Sequence, residues 1–243
     1  MQLQEILYSQ GFGTRRVCCG LVQQGWVSVG EPPAPCTDPN AEFDVDGFVF
    51  HVQGQRWEYH AHAYLLLHKP MGHECSQKPS AWPSIYTLLP APLRSRPSGA
   101  ACGVQAVGRL DQDTTGLLLL SDDGKFIHRM SSPKHHVPKV YVATCKHPVT
   151  QAQVERLLAG VVLDDDPKPV RAVACRLLDS HVLQMTLTEG KYHQVKRMIA
   201  AVSNRVEALH RSQIGPVELP DDLPPGGWCW LSREQVAALQ AKA

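Results

Sequence analysis

Gly108-Arg109-Leu110-Asp111-Gln112-Asp113-Thr114-Thr115-Gly116-Leu117-Leu118-Leu119-Leu120 sets a charged, glycine-bracketed turn directly before an unbroken apolar run. A short apolar run bounded by turn signals reads as a buried strand, here Thr115–Leu120. Asp111 therefore stands where a core meets a cleft. A single aspartate at such a turn is most often an ordinary Asx turn, so its meaning depends on the rest of the chain. Arg109, two residues earlier, suits a phosphate or the wall of a pocket.

Working outward, the same side of the chain alternates strands and helices. Ala63–Leu67 reads as a strand ending at Lys69-Pro70, and Asp123–Met130 as a short helix. Lys139–Cys145 and Val182–Thr188 read as strands, and His193–Ala201 as a helix. Thr150 with Gln153 and Ser232 with Gln235 are capping boxes, each opening a helix. Pro90–Gly103, rich in proline and glycine, predicts a loop. Few consecutive units fit a regular βαβ crossover, which favours an α+β fold: a mixed, mostly antiparallel sheet with flanking helices.

Residues 1–60 read as a separate small α/β unit, with residues 61–243 forming the second domain. Gln4–Gln10 is helical. Thr14 caps a second helix with Val17, Leu21 and Val22 on one face and Gly25 at its end. Trp26–Val29 and Phe43–Val52 read as strands joined through the Pro-rich turn Glu31–Pro39, and Gln53–His62 as a linker.

Two further segments carry residues suited to chemistry. In Lys139-Val140-Tyr141, positions 139 and 141 share a strand face, so Tyr141 can stack on a base or exchange a proton. A half-buried sheet tyrosine is the plainer reading of that residue alone. Glu189-Gly190-Lys191-Tyr192-His193-Gln194-Val195-Lys196-Arg197-Met198 gathers Lys191, His193, Gln194, Lys196 and Arg197 at a strand-to-helix junction. A helix start offers unsatisfied N–H groups and positive dipole to anions. A solvated basic face explains Lys191. It explains the adjacent cations Lys196 and Arg197 less well, because neighbouring helix positions point in different directions. Ser132-Pro133-Lys134-His135-His136 and Leu209-His210-Arg211 are short basic segments suited to phosphate or base contacts.

The 243 residues carry a net charge of +1, too little for a generic nucleic-acid binder. The charge is unevenly spread. Residues 1–60 hold three basic and seven acidic residues, net −4, and residues 61–243 hold 21 and 16, net +5. Any RNA contact is expected mainly in the larger segment. The eight cysteines contain no C-x-x-C pair, so neither a zinc ribbon nor a thioredoxin-like motif is supported. Adjacent histidines at 135 and 136 are poorly spaced as metal ligands, and no metal site is expected. No apolar window is long enough for a membrane span, and the N-terminus lacks the pattern of a secretory signal. A cytoplasmic protein with free buried thiols is expected.

Taken together in this order, Gly108–Gly116, Lys139–Tyr141 and Glu189–Met198 resemble the motifs of pseudouridine synthases of the ribosomal small-subunit type. Lys69-Pro70-x-Gly72, Ser132–His136, Ala200-Ala201-Val202 and Leu209-His210-Arg211 extend the resemblance, which covers residues 63 to 239. Residues 1–60 resemble the small S4-like RNA-binding domain that such enzymes carry in front, with Arg15 and Arg16 where a contact helix is expected. The resemblance implies that a uridine in ribosomal RNA is isomerised without a cofactor. It implies Asp111 as the essential carboxylate, Tyr141 as the base-contacting tyrosine and proton acceptor, and Lys196 as the basic partner of the aspartate. Arg109 and Arg197 become supports on the RNA side, and Lys191, His193, Gln194, Lys134, His135, His136 and Arg211 further RNA contacts. The form of the third motif points to 16S rRNA, free or in a small-subunit assembly intermediate; nothing in the sequence demands a dimer, and a monomer is expected. A 23S target is the alternative within the class, and a catalytically silent RNA-binding or ribosome-assembly protein the alternative outside it.

Overall fold

A computed structural model describes residues 1–98 and 101–241. It divides the chain into two compact units: Met1–Ala63 with Leu89–Gln105 and Ser121–Asp123, and Tyr64–Leu88 with Ala106–Leu120 and Gly124–Ala243.

In the first unit, helices α1 (Leu3–Ser9) and α2 (Arg15–Gln23) accompany a four-stranded antiparallel sheet. Its strands are β1 (Val27–Val29), β2 (Ala34–Pro35), β3 (Val49–Val52) and β4 (Gln55–Glu58), in the order β2-β1-β3-β4. Helices of seven and nine residues are too short to persist alone and depend on packing. Leu3, Ile6, Leu7, Cys18, Val22 and Phe50 supply that packing. Thr14 caps α2 as the sequence predicts, accepting a hydrogen bond from the Val17 N–H. Val17 itself is exposed, however, and Cys18 with Val22 forms the buried face. The second strand starts at Val49 rather than Phe43, and the stretch read as a linker holds β4, paired with β3 around Gln53-Gly54. Alternation at Phe43–Phe48 reflects side chains packed on the core without a ladder.

The expected loop over Pro90–Gly103 contains a helix at Ala91–Ser95 and a short pairing of Pro97–Ser98 with Ala101–Cys102; residues 99–100 lie outside the described residues. Arg96, fully buried, explains why this segment is ordered. Its Nε lies 2.5 Å from Asp122 Oδ2, and its remaining nitrogens donate to Gln10 Oε1 and the His60 and Ala61 carbonyls. The Asp122 carboxylate also accepts from the Ala63 N–H. Removing either charge would strand the other in the interior, at a cost of about 3–5 kcal/mol.

The second unit is built on a mixed, mostly antiparallel sheet. Its main strands are β5 (Tyr64–Lys69), β6 (Thr114–Ser121), β7 (Lys139–Cys145), β8 (Ala174–Asp179), β9 (Val182–Leu187), β10 (Val206–Ile214) and β11 (Trp228–Trp230). They lie in the order β8-β9-β7-β10-β6-β5-β11, and β6 runs parallel to β10. Helices α3 (Gly124–Ser131), α4 (Gln151–Ala159), α5 (Gln194–Ala201) and α6 (Arg233–Gln240) flank it. Both predicted capping boxes are formed, at Thr150/Gln153 and Ser232/Gln235. Leu66, Leu117 and Leu119 of the sheet pack with Phe126 and Met130 of α3 and Leu239 of α6. Strands β8, β10 and β11 have no counterpart in the sequence reading. All eight cysteines are free thiols, but only Cys18 and Cys145 are buried and Cys102 is exposed.

Candidate active site

The Gly108–Asp113 turn is fixed from behind by the end of β5. Lys69 is buried there and donates from Nζ to the carbonyls of Pro70, Gln112 and Thr114, at 3.1, 3.3 and 2.9 Å. Burial holds its pKa below the usual lysine range. The Gly72 N–H donates to the Gln112 carbonyl, and the Leu110 N–H reaches Cys75 Sγ. Lys69-Pro70-x-Gly72 is thus a clamp on the turn that carries Asp111.

A second constraint comes from the parallel pairing of β6 with β10, where Gly116 lies beside Arg211. Gly116 adopts φ +108°, and a Cβ there would stand 2.2 Å from the Arg211 carbonyl oxygen. Only glycine allows the two backbones this approach, so the glycine that closes the motif also aligns the strand behind it.

Helix α5 brings the partners of the carboxylate. Lys196 Nζ lies 3.2 Å from Asp111 Oδ2 and 2.6 Å from Asp113 Oδ1. His193, the left-handed residue before α5, places Nε2 3.3 Å from Asp111 Oδ1. Both oxygens of Asp111 are therefore engaged, and the side chain is 23% exposed. Burial works against ionisation of Asp113, but hydrogen bonding and charge from Lys196 outweigh it and keep its pKa low. Burial likewise opposes the charge on Lys196, and Asp113 and Asp111 outweigh it, raising its pKa.

Asp111 and Lys196 share one cavity of about 440 Å³ with Lys139, Tyr141 and Arg211. That volume is in the range of small-molecule sites and suits a single nucleoside. Tyr141 is buried on β7 opposite Arg211 of β10, whose guanidinium carbon lies 5.9 Å from the ring centre. Arg211 is only 3% exposed and donates from Nε to the Leu117 carbonyl. Leu209–Arg211, read as a short basic segment, lies in a central strand, with Arg211 buried among the residues that line the cavity. Lys139 donates to the Val137 carbonyl, and burial, followed by the charge of Arg211, lowers its pKa to about 8.

The other sequence candidates are dispersed. Arg109 is exposed at the cavity wall. Lys134, His135 and His136 are exposed just after Ser131 and Ser132, which line the cavity. Arg197 pairs with Asp165 and donates to the Tyr192 carbonyl, bracing the loop before α5. Gln194 is buried and accepts from the Lys191 N–H, so it shapes the same loop from within. Arg15 and Arg16 are exposed on α2 of the first unit. Sequence reasoning gave no role in the site to Lys69, Lys139, Asp113 and Tyr192. The shared strand face of Lys139 and Tyr141, and the two-residue spacing of the aspartates, were the available signals. Among the described residues no group of three or more acidic, cysteine or histidine side chains is arranged to hold a metal ion.

Comparison with known proteins gives the family of the chain. The family model described as RNA pseudouridylate synthase matches residues 63–201. Ribosomal small subunit pseudouridine synthase A of Pasteurella multocida (strain Pm70) is 42% identical over 174 residues, 72% of each chain. Its namesake from Escherichia coli (strain K12) is 38% identical over 182 residues, 75% of this chain and 76% of the other. A crystal structure of a pseudouridylate synthase shares 30% identity and a TM-score of 0.67, covering 98% of this chain and 99% of that one. Fold, site and matches together define an isomerase that acts on uridine in RNA. The chain belongs to the RNA pseudouridylate synthase family.

Proposed function

We propose that this enzyme converts one uridine of 16S ribosomal RNA to pseudouridine, with Asp111 as the catalytic carboxylate. The observation that carries this reading is Asp111, held at both oxygens by Lys196 and His193, in a nucleoside-sized cavity that also contains Tyr141. A uridine in folded RNA hides its glycosidic bond and must be flipped out of the helix to enter. The Lys196 ammonium, 3.2 Å from Asp111 Oδ2, holds the carboxylate in place beside the entering nucleoside. The C1′–N1 bond breaks, the base turns, and a C1′–C5 bond forms. The proton on C5 is given up, for which Tyr141 is the acceptor, and N1 gains one. The product is an isomer, so the balance calls for no cofactor.

The 16S target is supported by the names of the most similar relatives, which are small-subunit enzymes. Arg109, Lys134, His135 and His136 serve as RNA contacts around the cavity. Residues 1–60 act as an S4-like RNA-binding domain through Arg15 and Arg16. The protein works as a cytoplasmic monomer on free 16S RNA or an assembly intermediate.

The test is a pseudouridine map of 16S and 23S transcripts, free and partly assembled, after incubation with the protein. A carbodiimide adduct that stops primer extension marks each new site. One new stop in 16S RNA is expected, and it should be absent with Asp111→Asn although that variant still binds RNA. A stop confined to 23S RNA would move the target, and binding without any stop would favour a silent RNA-binding protein. Equal activity of Asp111→Asn and wild type would remove Asp111 from the chemistry.

A further inference from the structure

Tyr192 is 68% exposed, the most exposed of the large hydrophobic side chains, yet it lines the cavity that holds Asp111. One face of its ring is already used. It stacks on the His193 imidazole at 3.8 Å between centres and 21° between planes. That imidazole in turn stands 3.3 Å from Asp111. The loop carrying the pair is set in place from both sides: Arg197 donates to the Tyr192 carbonyl, and the buried Gln194 accepts from the Lys191 N–H. An aromatic ring left in water costs solvation free energy, but a ring held ready loses little conformational entropy when a flat partner arrives. Exposed aromatics beside nucleic-acid clefts gain by stacking on unpaired bases, with little regard to base identity.

We propose that Tyr192 is a stacking site for an RNA base next to the flipped uridine. The base, Tyr192 and His193 form one continuous stack that ends at the Asp111 carboxylate. This rests on the reading of the protein as an RNA-modifying enzyme. Tyr192 lines the same cavity as Asp111 but is 68% exposed, against 23% for the carboxylate side chain, so its open face meets a strand neighbour of the nucleoside that reaches Asp111. Filling that face fixes the backbone on one side of the target and positions the flipped uridine over the carboxylate.

The experiment measures binding of the full-length protein to a 16S rRNA transcript across a salt series, comparing wild type, Tyr192→Ala and Tyr192→Phe. Tyr192→Ala should weaken binding about 10-fold. Tyr192→Phe, which keeps the ring and loses the hydroxyl, should stay within about 2-fold of wild type. The salt slope should be the same for all three, because stacking releases no counterions. Thermal unfolding should not change, because the ring is exposed. Wild-type affinity for Tyr192→Ala would overturn the proposal. So would Tyr192→Phe as weak as Tyr192→Ala, which would indicate a hydroxyl contact, or a slope reduced by about one, which would indicate a phosphate contact.

A second arm uses synthetic RNA spanning the mapped uridine, with an abasic ribose replacing either neighbour. At one neighbour the abasic change should weaken binding to wild type and add nothing to Tyr192→Ala. Additive losses at both neighbours would overturn the proposal. If the wild-type protein binds the transcript but forms no pseudouridine, the enzymatic reading falls, while the ring-dependent binding still decides the role of Tyr192.

Discussion

Burial of Lys139 on β7, with Arg211 close by, brings its pKa down to about 8. The unfolded chain titrates that lysine near 10.4. Between those values the unfolded state binds more protons, so this group makes stability rise with pH through that window. Below about pH 8 the ammonium is charged in both states and its burial cost is present in full. Lys139→Met should therefore stabilise the protein at pH 7, on the order of 1–2 kcal/mol allowing for the partial exposure of the side chain. The gain should fade toward pH 10, and melting curves at the two pH values check it. A gain independent of pH would mean that packing, not charge, is responsible. At this scale the motifs singled out Asp111, Tyr141 and Lys196, and the structure brings all three to one cavity. Arg211, read as part of a short basic segment suited to RNA, is buried among the residues that line the cavity, with its Nε on the Leu117 carbonyl.

At the scale of elements, the pairing of β6 with β10 positions the Asp111 turn. Gly116→Ala would set a Cβ 2.2 Å from a backbone oxygen at a positive φ. Loss of roughly 3 kcal/mol or more is expected, with isomerisation lost as the turn shifts. Denaturant unfolding and the pseudouridine assay measure the two effects; unchanged stability would show that β6 and β10 separate without cost. Capped helices and the apolar strand β6 were readable because their signals are local. Strand β10 was not. Val206–Ile214 carries Glu207, His210, Arg211 and Gln213 and lacks clean alternation. It becomes a strand because β7 and β6 satisfy its backbone on both sides. Helix Ala91–Ser95, hidden in a Pro-rich stretch, forms where Arg96 finds Asp122 and Gln10, partners 26 and 86 residues away in sequence.

At the scale of the molecule, charge is divided between the acidic N-terminal segment and the basic remainder. Removing a side chain that neutralises one phosphate should lower the magnitude of the salt slope for RNA binding by about 0.7 to 0.9. Arg15→Ala with Arg16→Ala should lower it by about 1.5 if the N-terminal unit grips the RNA backbone, and Lys134→Ala by nearly one. An unchanged slope in the double variant would leave the first unit out of the phosphate interface. No helix among the described residues is long and apolar enough to cross a membrane.

The sequence by itself determined the class of enzyme and the mostly antiparallel sheet, and it singled out Asp111 and Lys196, because these rest on motifs and periodicities carried within short windows. Only the tertiary structure decided that Lys196 bridges Asp111 and Asp113, that His193 holds the other oxygen, and that Arg211 lies in the interior. Those facts depend on helix α5 meeting a turn more than 80 residues earlier in the chain. They also depend on β6 lying parallel to β10, an arrangement set by close backbone approach at Gly116 and by packing across the sheet. Such long-range contacts are fixed by the free energy of the whole fold, and no local pattern encodes them.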